Sequence, residues 1–225
     1  MGRVSIWAAA AALGMWGCGD AQNVVGLAGS ATCSACHSGP GDPPPFRAPG
    51  GSTNPNLLPV GAHTPHLNGG LTSNITCSDC HIVPSVVNQP GHLDAAPPSD
   101  IVFGGLARTG GVNPQYVATG CAATYCHGNF PGGNDFPGGN KSNTPKWLGG
   151  IATGACGTCH DLPPATGQHL FHVGIGIGCE KCHGPLARDT HVNGVVNVVL
   201  SPPAAWQPAT SSCATQACHG GPRNW

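Results

Sequence analysis

The chain has 225 residues and a net charge of −1, with only 8% charged and 5% aromatic residues. Its 36 glycines and 23 prolines make up about a quarter of the chain, the range of low-complexity or irregular sequences. Lys and Arg are scattered singly, which excludes a phosphate-binding surface for nucleic acid. Too few large apolar side chains are present to offset the entropy of ordering the backbone, so an ordinary core is excluded too.

Residues 1–17 carry one early Arg, an apolar run and a small residue at the end, the pattern of an export signal. The run is too short to span a bilayer comfortably, and no later segment suits a transmembrane helix. The ending Gly17-Cys18 resembles a bacterial lipoprotein signal, in which Cys18 becomes the lipidated N-terminus. Met15 and Trp16 depart from that pattern, and simple signal-peptidase cleavage is the alternative. Both routes place the mature chain outside the cytoplasm, with residues 18–29 as a tether.

Of the 13 cysteines, all but Cys18 fall in pairs followed at once by histidine. Four are C-x-x-C-H: Cys33/Cys36-His37, Cys77/Cys80-His81, Cys156/Cys159-His160 and Cys179/Cys182-His183. Two are stretched to C-x-x-x-x-C-H: Cys121/Cys126-His127 and Cys213/Cys218-His219. C-x-x-C-H is the attachment signature of c-type haem, and chance would place about 0.04 copies in a chain of this composition. Two thiols add to the vinyl groups on one edge of the porphyrin, and the next residue then lies under the ring with its imidazole toward the iron. Zinc ribbons, thioredoxin-like sites and disulfide scaffolds also use paired cysteines, but none needs a histidine after every second one.

Those motifs use six of the 12 histidines as proximal ligands, and His63, His66, His92, His169, His172 and His191 remain. Six spare histidines against six motifs predict bis-histidine irons. The only methionines are Met1 and Met15, both in the export segment, so the His/Met ligation that raises a cytochrome's potential is excluded. The spacing leaves open which spare histidine serves which iron, since each H-x-x-H pair could serve either flanking motif.

From Cys33 and again from Cys156 one order recurs: C-x-x-C-H, H-x-x-H, C-x-x-C-H, a single histidine, then the stretched motif. The recurrence assigns the stretched motifs to haem and divides the chain into trihaem units at 30–127 and 151–225. Between them, 128–150 contains an FPGGN repeat and is expected to be a surface spacer or linker. The fold expected is mostly coil with few short helices, a haem-packed core and a duplicated trihaem unit, with a weak strand signal over 195–200. Trp147 and Trp206 are expected against haem faces, and without haem the chain is expected to be unfolded.

With those motifs, the HTPH and HLFH pairs and the His191-Val-Asn-Gly segment, the sequence resembles the multihaem c-type cytochromes in which CxxxxCH alternates with CxxCH, a family of metal-reducing bacteria. The resemblance spans roughly residues 30 to 220; at His92 the last segment departs from the pattern as His-Leu-Asp-Ala, which leaves His92 the least secure distal ligand. It implies six covalently attached haems and a periplasmic or outer-membrane electron carrier, often a lipoprotein. Its partners would be other cytochromes, an outer-membrane conduit or an extracellular acceptor, with the membrane touched only through a lipid anchor. Electron transfer without a catalytic residue is the expected role. The alternatives are a multihaem reductase with one open iron and a subunit of a conducting cytochrome filament.

Overall fold

The computed structural model describes residues 47, 48, 50–86, 89, 90, 92, 101–139, 141–200, 205–213, 219, 223 and 224. The export segment, Cys18, Cys33, Cys36, His37 and Cys218 lie outside the described residues. What is described is mostly coil with a few short helices and two small sheets, as the composition requires.

Helix α1 (His63–Asn68), α2 (His169–Gly174) and α3 (Glu180–His183) are one turn or little more. The first two are the H-x-x-H segments. Pro65 falls in the first turn of α1, where no backbone N–H is needed, and Gly69 ends it in an extended conformation. Short 3-10 turns form at Cys77–Asp79 and Tyr125–His127, the second ending at Gly128 in the left-handed region with φ 105°.

Strands β1 (Gln115–Val117) and β2 (Gly120–Ala122) form an antiparallel hairpin with Tyr116 opposite Cys121. Its two-residue loop, Ala118-Thr119, has positive φ at both positions, the turn whose twist matches that of the strands. Strands β3 (Trp206–Gln207), β4 (Ser212–Cys213) and β5 (Arg223–Asn224) form an antiparallel sheet in that order, with Trp206 opposite Cys213. The strand signal at 195–200 does not hold, for that segment is irregular. Its polar groups go elsewhere: Val199 N–H donates to Cys182 O, and Asn197 O accepts from the His183 ring. Val196 is left 83% exposed.

Among the described residues the buried apolar side chains are Ala48, Val60, Phe103 and Ala107, and no large side chain is fully enclosed. The large apolar residues instead lie open beside the Cys-His motifs and the H-x-x-H helices: Ile82 follows His81, Leu162 follows His160, Leu186 follows His183, and Leu170 and Phe171 separate His169 from His172. This is the arrangement of a chain whose apolar surface is shaped to cover cofactors rather than itself.

Segment 128–150 is held more firmly than a surface spacer requires. Cys121 N–H donates to Pro145 O, Trp147 N–H to Thr119 O, and the Asn143 amide to His127 O. Asn134 is buried; its N–H reaches Cys159 O at 2.9 Å and its side chain reaches Gly157 O and Thr158 O.

Candidate haem sites

Two of the short motifs, Cys77–His81 and Cys179–His183, fold as single turns. His81 N–H donates to Cys77 O at 2.9 Å and His183 N–H to Cys179 O at 3.0 Å, with Cys80 and Cys182 closing the same turns. Two sulfurs and one imidazole are thereby presented from one compact segment. A later strand of chain closes over each: Val102 N–H donates to Cys80 O and Val199 N–H to Cys182 O. At the first of these, Asp79 is buried, and its carboxylate accepts from Thr76 N–H, the Thr76 hydroxyl and Leu106 N–H.

The stretched motif solves its longer spacing differently. Cys121 belongs to β2, the chain then reverses at Ala123 with φ 53°, and Cys126-His127 fall in the turn that follows. Ala123 N–H donates to the Asp135 carboxylate, which also receives Ser142 and Asn143. The extra residues are therefore anchored from segment 128–150. Cys213 likewise lies on a strand, β4.

Six of the histidines direct Nδ1 at a backbone carbonyl: His63 at Val60, His66 at Ala62, His160 at Asp161, His169 at Thr166, His183 at Asn197 and His191 at Leu71, all between 2.6 and 2.9 Å. A carbonyl partner requires the proton on Nδ1 and leaves the lone pair on Nε2, the tautomer of a metal-ligating histidine. His127 is half-buried, and the desolvation of its ring, with His66 adding to it against the opposing Asp135, pushes its pKa down to about 4. It is held as the neutral imidazole that a metal binds.

Four motif histidines face an H-x-x-H histidine. Ring centres are 6.2 Å apart for His63 and His81, 5.9 Å for His66 and His127, 5.9 Å for His169 and His183, and 5.8 Å for His172 and His219. Two imidazoles on one metal, each bonded at about 2 Å through a nitrogen about 1.1 Å from its ring centre, hold their centres about 6 Å apart. Among the described residues no three of His, Cys, Asp and Glu converge on one point. Histidines opposed in twos suit an iron whose other four ligands come from a porphyrin, and they do not suit a zinc site.

The thiols agree. Cys77, Cys80, Cys121, Cys126, Cys156, Cys159 and Cys179 are free. Burial, with Cys121 and Asp79 close by, pushes Cys80 up to about 12, and burial with Cys80 close by does the same to Cys126; burial also raises Cys121 and Cys159. A thioether to a haem vinyl carries no charge to desolvate in such surroundings.

His160 has Phe130 as a ring neighbour at 6.5 Å, and His92 is placed by its N–H to Gln89 O. Trp147 lies where an aromatic beside haem was expected, with its ring centre 4.7 Å from that of His63 and 5.8 Å from that of His66, its indole N–H donating to Leu58 O. A side chain on Gly61 would collide with that indole. Asp79, Asn74, Asn134 and Asp135 were not anticipated. For Asp79 a signal exists, since Thr76-x-x-Asp79 has capping-box spacing; the others act on partners remote in the chain.

Residues 120–160 match a family described as the Geobacter CxxxxCH...CXXCH motif. The matched stretch runs from Cys121 through segment 128–150 to His160, two motifs held by neighbouring residues, the first by Asp135 and the second by Asn134. No match is found among curated proteins or among solved structures. A chain that carries this motif pair, with imidazoles opposed across the width of one iron, binds covalently attached c-type haem and is similar to the multihaem c-type cytochromes.

Proposed function

We propose that the protein is an exported hexahaem c-type cytochrome that passes electrons along a chain of low-potential bis-histidine haems. The observation that carries this reading is the set of four histidine pairs at iron-spanning separation, each joining a motif histidine to a spare one. The parallel turns and ring pairs in the two halves support a duplicated trihaem unit, and hence six haems.

Haem, when bound, supplies a one-electron couple of the iron. The chain's own residues attach it through Cys77/Cys80, Cys121/Cys126, Cys156/Cys159, Cys179/Cys182 and the two further pairs. Carbonyls such as Val60 O and Asn197 O hold the imidazoles in one tautomer and orientation, and exposed apolar residues cover the ring faces. Were imidazoles to fill both axial positions of each bound haem, no open site would remain for substrate, which favours an electron carrier over a reductase. Periplasmic or outer-membrane placement, with a lipid on Cys18, and other cytochromes or an extracellular acceptor as partners belong to the same proposal. No helix of the described residues is long and apolar enough to cross a membrane.

The test is a pyridine haemochrome count on the mature protein together with low-temperature EPR of its oxidised form. Six haems per chain, all low-spin, are expected. Fewer than six, or an appreciable high-spin signal, overturns the proposal.

A further inference from the structure

We propose that each H-x-x-H helix is a bridge between two irons, its first histidine the distal ligand of the second motif's haem and its last the distal ligand of the stretched motif's haem. In the first half His63 serves the haem of Cys77/Cys80-His81 and His66 that of Cys121/Cys126-His127. In the second half His169 serves the haem of Cys179/Cys182-His183 and His172 that of Cys213/Cys218-His219. The assignment rests on the bis-histidine reading above and deepens it.

Each H-x-x-H helix lies in sequence between the first and second motifs of its half, so serving those two would be the shortest arrangement. The rings say otherwise. α1 faces His81 and His127, and α2 faces His183 and His219, at 5.8–6.2 Å in every case. Both helices skip the nearest preceding motif and reach forward to the same two, in the same order. A packing accident at one helix has no reason to recur in that register at the other.

Helix geometry supports the bridge. Residues at i and i+3 share a face with their Cβ atoms about 5–6 Å apart, so two imidazoles three residues apart can reach two irons but not opposite sides of one. His63, His66 and His169 each donate Nδ1–H to a carbonyl, which leaves Nε2 as the coordinating atom. An independent sign that the two haems are neighbours comes from their thiols: Cys80 lies near enough to Cys121 and Cys126 to interact with both electrostatically. With these four irons supplied, His92 and His191 remain for the first motifs, His37 and His160. One helical turn thus couples the second and third haems of each half, and the stretched motif receives its ligand from the far side of another haem's binding segment.

The experiment uses the mature haem-loaded protein. His63→Met and His66→Met each convert one bis-histidine iron to His/Met ligation, which raises its potential. One haem equivalent in six is expected to titrate at higher potential in each variant. Placed in a Cys121→Ser/Cys126→Ser background, the His66→Met step should vanish and the His63→Met step persist; in a Cys77→Ser/Cys80→Ser background the reverse should hold. Exchange of these dependences, or persistence of both steps in both backgrounds, overturns the bridge. Where a cysteine variant fails to accumulate, the reduced, diamagnetic protein with labelled histidine gives the same answer. Nuclear Overhauser contacts from the His66 ring should reach the haem that contacts Cys121 and Cys126, and contacts to the haem of Cys77 and Cys80 instead overturn the assignment. A parent protein without haem on these motifs fails at the haemochrome count, a result distinct from either outcome.

Discussion

Asp79 sits between the two cysteines of a haem-attachment turn and is the buried acid of that turn. Its carboxylate holds Thr76 at the entry of the turn and, through Leu106 N–H, a segment 27 residues further on. Gly104 N–H to Asp79 O and Val102 N–H to Cys80 O complete the closure. Removing the carboxylate leaves three part-buried bonds unmade, at about 1 kcal/mol each and more where water cannot replace the acceptor. Asp79→Ala should therefore lower the stability of the haem-loaded protein by roughly 2–4 kcal/mol, read as an earlier Soret transition in thermal or urea unfolding. Asp79→Asn keeps an acceptor for Leu106 N–H and should recover at least half of the loss; an unchanged midpoint in the alanine variant would show that the closure is idle. The candidate attachment cysteines and proximal histidines were legible at this scale because the chemistry expected of them demands a fixed local spacing. The distal partners were not, since the contact between His66 and His127 spans 61 positions and no periodicity encodes it.

At the scale of elements, the first H-x-x-H helix, α1, and the hairpin of the stretched motif meet over Trp147. The indole lies edge-on to His63 and nearly parallel to His66, and Gly61 leaves the space for it. It is a positioning residue for two imidazoles at once. Trp147→Leu should leave the haem count unchanged, shift the EPR g-values of two haems of the six, and spare the remainder. A shift confined to one haem, or spread over all, would mean that the indole does not hold both ligands. The sequence suggested an aromatic near haem here but not its role, because Trp147 reaches α1 from 81 residues beyond His66. The stretched motif was likewise legible as a haem site from its recurrence. Its form was not: the extra residues connect a strand to a turn and are pinned by Asp135.

At the scale of the whole molecule the described residues of the two halves are joined at several places, among them a bond from Gly194 N–H to the Tyr125 hydroxyl and two further junctions. Asn74 donates to the carbonyls of Arg188, Asp189 and His191, while the His191 ring is oriented by Leu71 O, so the placement of a candidate ligand of the second half is set by the first. At the other junction Gly128 approaches Cys159 so closely that a β-carbon would collide with its backbone, and Cys126 and Cys159 interact electrostatically. Cys126 thus has Cys80 of the second motif and Cys159 of the other half both within electrostatic reach. Composition marked 128–150 as Gly/Pro-rich, and that much was right. The clamp was hidden because the Asn134 partners lie 23 to 25 positions away. Asn134→Ala deletes both side-chain bonds to Gly157 O and Thr158 O in a buried position, at a cost of about 1–3 kcal/mol. The attachment cysteines and the imidazole pairs are untouched, so all six haems should remain. Local opening of the junction should become easier while each half stays folded around its own cofactors. Limited proteolysis should then cut the variant within 128–160 several-fold faster than the parent, releasing two fragments that carry three haems each by mass spectrometry. Equal cleavage rates would show that Asn134 does not hold the junction, and fragments with unequal haem counts would refute the trihaem halves.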